Sequence, residues 1–144
     1  MASIFDVAEF ILSRRGEMTT MKLQKLCYYS QAWNLVWDEK ELFPQRFEAW
    51  AKGPVSPELY GRHRGEFRVR AGHFPGDPEA LTESERQTVE SVIAHYGPKS
   101  AVELSEMTHR ERPWLDARGD SPSGEPSTEL IPIASIAEYY GSLV

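Results

Sequence analysis

A chain of 144 residues, 40% hydrophobic and 26% charged, has the length of one globular domain spanning 1 to 144 and buries roughly two thirds of its unfolded surface. Its net charge of −6 argues against non-specific duplex binding, which depends on Lys and Arg neutralising phosphates. No window approaches the ~20 apolar residues of a membrane span, the start MASIFDVAEF lacks a basic leader, and the cysteine count is one. The expected setting is a reducing cytoplasm, with no membrane contact.

Ser3 with Asp6 marks a helix start, and Ile4, Val7, Ala8, Ile11 and Leu12 recur at helical spacing, so a first helix is predicted over about 4 to 15. Gly16 supplies its stop. The run MKLQKLCYYSQAWNLVW carries two apolar stripes, one through Leu23, Leu26, Cys27 and Trp33, the other through Tyr28, Tyr29, Ala32, Leu35 and Val36. A helix apolar on two faces is buried between neighbours, so residues 21 to 37 are expected to be the central helix.

Residues 46 to 56 alternate like a strand and contain Gly53-Pro54, which suits a small hairpin. Pro57 then suits the first turn of a brief helix through Tyr60, and the Gly- and Pro-rich stretch 66 to 80 reads as loop. Thr82 with Glu85, and Ser100 with Glu103, are capping-box pairs that open two further helices, the first closed by Gly97-Pro98. Pro113 and Trp114 start another turn. The polar tract RGDSPSGEPST, 118 to 128, is expected to be a mobile surface loop, and Ile133, Ile136, Ala137 and Tyr140 have the spacing of a last helix. The expected architecture is mostly α, a compact bundle of five or six helices around a central buried helix with a small β-hairpin near residues 46 to 56.

Chemistry is hard to find. His63, His73, His95 and His109 have no partners at metal-ligand spacing. Cys27 sits among apolar residues, where desolvation disfavours the thiolate, and reads as core rather than nucleophile. Neither a cofactor nor a catalytic group is expected. The unusual feature is aromatic content, four Trp, six Tyr and six Phe, of residue types that dominate interface hot spots. Trp50 stands out because it alternates away from Phe47 and Ala49, just before the Gly-Pro turn; it is either an exposed anchor or part of the core.

Three blocks, MKLQKLCYYSQAW, FEAWAKGPVSPELY and ELSEMTHRERPW, taken together resemble the Panacea domain, also described as the SocA-like or GepA-like phage-associated domain. The resemblance implies a non-enzymatic antitoxin that binds and inactivates a cognate protein toxin encoded by a neighbouring gene; the alternative is an adaptor delivering the bound toxin to a AAA+ protease. The matching positions are Lys22, Leu23, Gln24, Lys25, Tyr28 and Tyr29, then Trp50, Gly53, Pro54, Val55 and Tyr60, then Thr108, His109, Pro113 and Trp114. Of these, Lys22, Lys25, Tyr29, Trp50, Gly53, Pro54, Val55 and Tyr60 are expected to serve partner binding, with Lys22 and Lys25 forming a basic rim around Trp50. Leu23, Leu26, Cys27, Tyr28, Trp33 and Trp114 are expected in the core. Lys22, Gln24 and Lys25 are hydrophilic on an otherwise buried helix, and either line a groove or satisfy buried carbonyls. Without a helix-turn-helix segment, operator binding is not expected; homo-oligomerisation stays open.

Overall fold

The computed structural model describes residues 1–122 and 124–144. Helix α1 (Ile4–Arg15) opens with a reciprocal capping box: the Ser3 hydroxyl accepts from the Asp6 N–H and the Asp6 carboxylate accepts from the Ser3 N–H at 2.9 Å. After Gly16 the chain forms strand β1 (Met18–Thr19), and Thr19 caps helix α2 (Thr20–Trp37) by accepting from the Lys22 N–H. Strands β2 (Glu48–Trp50) and β3 (Gly53–Val55) pair antiparallel with Trp50 opposite Gly53, the expected hairpin. Helix α3 (Pro57–His63), strand β4 (Arg68–Val69), and helices α4 (Glu83–Tyr96), α5 (Ala101–Thr108), α6 (Arg112–Arg118) and α7 (Ile133–Gly141) complete the order. The seven helices among the described residues exceed the expected count because α3 and α6 both form complete short helices, each with a proline in its first turn, where its fixed φ suits the helix.

Helix α2 is the hub. It packs against α1, α4, α5 and α7 and against β3, and Leu23, Leu26, Cys27, Tyr28, Tyr29 and Ala32 are all buried. Trp33 is less enclosed than its core assignment implied: it is half-buried, stacked on the exposed Trp37 with centroids 5.2 Å apart, and donates its indole N–H to the Tyr96 hydroxyl at 2.9 Å. An indole must place its polar edge as well as its rings, which draws Trp33 toward the margin of the core.

The polar residues of this buried helix hold the irregular chain around it. Gln24 accepts from the Ser56 N–H at 2.8 Å and donates to the Ser56 carbonyl at 3.2 Å. Gln31 accepts from the Leu42 N–H at 2.7 Å and donates to the Phe43 carbonyl at 2.8 Å, and Asn34 donates to the Lys40 carbonyl at 3.0 Å. Helix α1 does the same with a carboxylate: buried Glu9 accepts from the N–H groups of Gly72 and Phe74 at 2.7 and 2.9 Å. These clamps give irregular backbone, much of it buried, the partners that secondary structure would otherwise supply.

One segment differs from expectation. The stretch 66 to 80, read as loop, contains β4, which pairs with β1 so that Met18 faces Val69 and Thr19 faces Arg68. A two-residue strand paired across so much sequence has no local signature. Arg118, the last residue of α6, opens the tract 118 to 128. Arg118 is 4% exposed, and its guanidinium donates to the carbonyls of Ala49, Pro122 and Glu125 at 2.9, 2.8 and 2.6 Å. Ser123, within that tract, lies outside the described residues. No helix among the described residues is long and apolar enough to cross a membrane.

Candidate functional site

The hairpin sets the first candidate surface. Along β2, Ala49 is buried whereas Glu48 and Trp50 are half-buried, the alternation a pleated strand imposes. Trp50 donates its indole N–H to the Glu48 carboxylate at 2.7 Å and meets the edge of Tyr60 with centroids 4.9 Å apart. Its carbonyl accepts from the Trp114 indole at 2.8 Å, which ties the strand to α6. Beside Trp50 lies an apolar hollow of about 320 Å³ bounded by Ala51, Pro126, Ser127 and Thr128.

Of the eight residues assigned to partner binding, Lys22, Trp50 and Tyr60 reach solvent, each half-buried. Gly53, Pro54 and Val55 are buried, and so is Tyr29, which stacks on Tyr96 at 4.0 Å and donates to Glu111 at 2.9 Å. Glu111 also accepts from Tyr140 at 2.6 Å. Burial raises the Glu111 carboxyl, and burial with the neighbouring Glu111 pushes the Tyr29 hydroxyl far up; the cluster joins α2 to the start of α6 and to α7. The basic rim around Trp50 is not formed. Lys22 donates to the Gly97 carbonyl at 2.6 Å at the end of α4, and Lys25 is 1% exposed. Among the core assignments, Leu23, Leu26, Cys27, Tyr28 and Trp114 are buried, and burial pushes the Cys27 thiol well above its usual value.

Lys25 forms the second candidate. Its ammonium has no hydrogen-bond partner among the described residues. Gly53 makes room for it: φ is +115°, and a Cβ there would lie 2.7 Å from the Lys25 Cε and 2.8 Å from the Thr108 Oγ1. Only glycine combines that backbone with that space. Burial, then the nearby Lys52, lowers the Lys25 ammonium to about 7. Lys25 also lines a pocket of about 430 Å³ between the start of α2, Phe67 and α5. The sequence reading did not single out Phe67, Val102 or Lys52. The available signal was a lone aromatic in the charged stretch GEFRVR, with no helical or strand partner to bury it.

A protein-family model described as antitoxin SocA-like, Panacea domain, matches residues 23–115. The chain belongs to this family. The matched span runs from the first turns of α2 into α6, so Lys25, the hairpin with Trp50 and Gly53, and Tyr60 all lie inside the Panacea domain, whereas α1 and α7 flank it. A search of curated proteins and a search of solved structures each returned no match for this Panacea protein.

Proposed function

We propose that this Panacea protein neutralises a cognate protein toxin by binding it directly, through the surface around Trp50 and Tyr60. Family membership supports the antitoxin role. The observation that carries the choice of surface is the Trp50–Tyr60 pair: two aromatic rings in edge contact, partly open to solvent, beside an apolar hollow and fixed from behind by Trp114 and Arg118. Rigid Trp and Tyr side chains with an apolar body and a polar tip are the anchors that dominate protein interfaces. Nothing in this role requires a catalytic group.

The test is co-expression with the protein encoded by the neighbouring reading frame. Growth is restored, the two proteins co-purify, and the toxin's cellular level does not fall. Rescue accompanied by disappearance of the toxin would replace occlusion with delivery to a protease. Absence of both rescue and complex would overturn the antitoxin reading.

A further inference from the structure

We propose that the pocket between the start of α2, Phe67 and α5 binds a small amphipathic carboxylate, its apolar body against Met21, Phe67, Ala101 and Val102 and its carboxylate on the ammonium of Lys25. The pocket shares no lining residue with the hollow beside Trp50, so the inference stands apart from the toxin-binding surface.

The volume, about 430 Å³, falls in the range that small organic ligands fill, and such sites combine apolar walls with a few fixed polar groups. Phe67 and Val102 flank the pocket at 76% and 67% exposure. Large apolar side chains held in water at the mouth of an apolar pocket lose that exposure when an apolar body enters.

The polar group is Lys25. A buried ammonium ordinarily sits against a carboxylate or several carbonyl oxygens, because burying it unpaired is costly. Here Nζ has no such partner among the described residues and presents almost no surface to water, so the carboxylate meets it when the Lys25 stem, part of the pocket wall, turns toward the cavity; the glycine at position 53 leaves the space that the stem occupies at rest. The groups around it do not supply the missing anion. Lys52 on the hairpin turn is a second cation, and His63 on α3 and His109 at the end of α5 are both held below the usual histidine range, first by burial and in part by Lys25 itself. Glu106, the one carboxylate in the lining, is exposed. In a chain of net charge −6 this is a local positive site that lacks its counter-charge. One buried ammonium among apolar walls matches a monoanion; a phosphate dianion requires more donors than Lys25 alone provides.

Titration of the full chain with octanoate, and separately with octanol, reads the site. Octanoate saturates a single site and binds at least about 10-fold tighter than octanol, the contribution of one charge-assisted hydrogen bond. Lys25→Met abolishes that preference while octanol binding persists. Octanoate affinity also falls by up to about tenfold per pH unit once pH rises above 7, as free Lys25 loses its proton; His63 and His109 are already neutral there. Val102→Asp, at an exposed position that leaves folding undisturbed, places a negative charge at the mouth and weakens octanoate more than octanol. Equal binding of octanoate and octanol, or an octanoate preference that survives Lys25→Met, would overturn the proposal.

Discussion

Replacing Lys25 with Met is expected to stabilise the protein by about 2–4 kcal/mol near pH 6, because a well-packed apolar side chain replaces a buried charge. At this chain length that corresponds to a rise in the thermal midpoint of roughly 5–15 °C. Met keeps the length of the lysine stem, so the space against Gly53 and Thr108 stays filled. The pH dependence identifies the cause. Unfolded, the ammonium holds its proton up to 10.5; folded, it releases it near 7. Between those values the unfolded chain binds more protons, so the stability of the native sequence rises with pH there. Below about pH 7 the whole cost of the buried charge is present, at roughly 1.36 kcal/mol per pH unit of displacement. The advantage of the Met variant is therefore largest in mild acid and shrinks as pH approaches 10.5. Thermal melts of the two proteins across that range suffice. A variant no more stable than its parent, or a gap that ignores pH, would mean that Lys25 finds a partner or solvent in solution.

For Trp50→Ala the expected result is a loss of toxin affinity of at least about 30-fold, the usual consequence of truncating an aromatic anchor. The fold should survive. What ties β2 to α6 is the Trp50 carbonyl, which accepts from Trp114, and the Ala49 carbonyl, which accepts from Arg118; both are backbone groups that the substitution keeps. The direct structural loss is the edge contact with Tyr60 and the bond to Glu48, on the order of 1 kcal/mol. Phe67→Ala is the matched control at an exposed aromatic residue on a different surface. A folded Trp50 variant with unchanged affinity removes this residue from the interface, and a loss confined to Phe67→Ala moves the interface to the Lys25 pocket.

Much of this fold was legible because its signals are local. Ser3 with Asp6, Thr82 with Glu85 and Ser100 with Glu103 lie within one helical turn, and all three form reciprocal capping boxes. The two apolar stripes of α2 implied a helix enclosed on both sides, and it is. What the pattern withheld was partnership at a distance. Gln24 was visible as a polar residue on an otherwise buried helix, but the backbone groups it binds lie in a segment whose course depends on the finished fold. Lys25 was misplaced for the same reason. It was expected on a basic rim around Trp50, and the approach of Gly53 and Thr108 encloses it instead. Trp50 was legible because strand alternation is local, whereas the exposure of Phe67 and its place across from Val102 follow from the β1–β4 pairing and the docking of α5.

The side-chain clamps also change what irregular structure means for this molecule's motions. Amide protons in loops ordinarily exchange with solvent through small local openings. Here the N–H of Leu42 and that of Ser56 end on amide oxygens of α2, and those of Gly72 and Phe74 end on the Glu9 carboxylate of α1. Releasing the amides of Leu42 and Ser56 means dislodging a side chain rooted in the central helix. Their hydrogen–deuterium exchange should be as slow as that of Leu26 or Cys27 at the centre of α2, so that stretches with no regular structure belong to its most slowly opening cooperative unit.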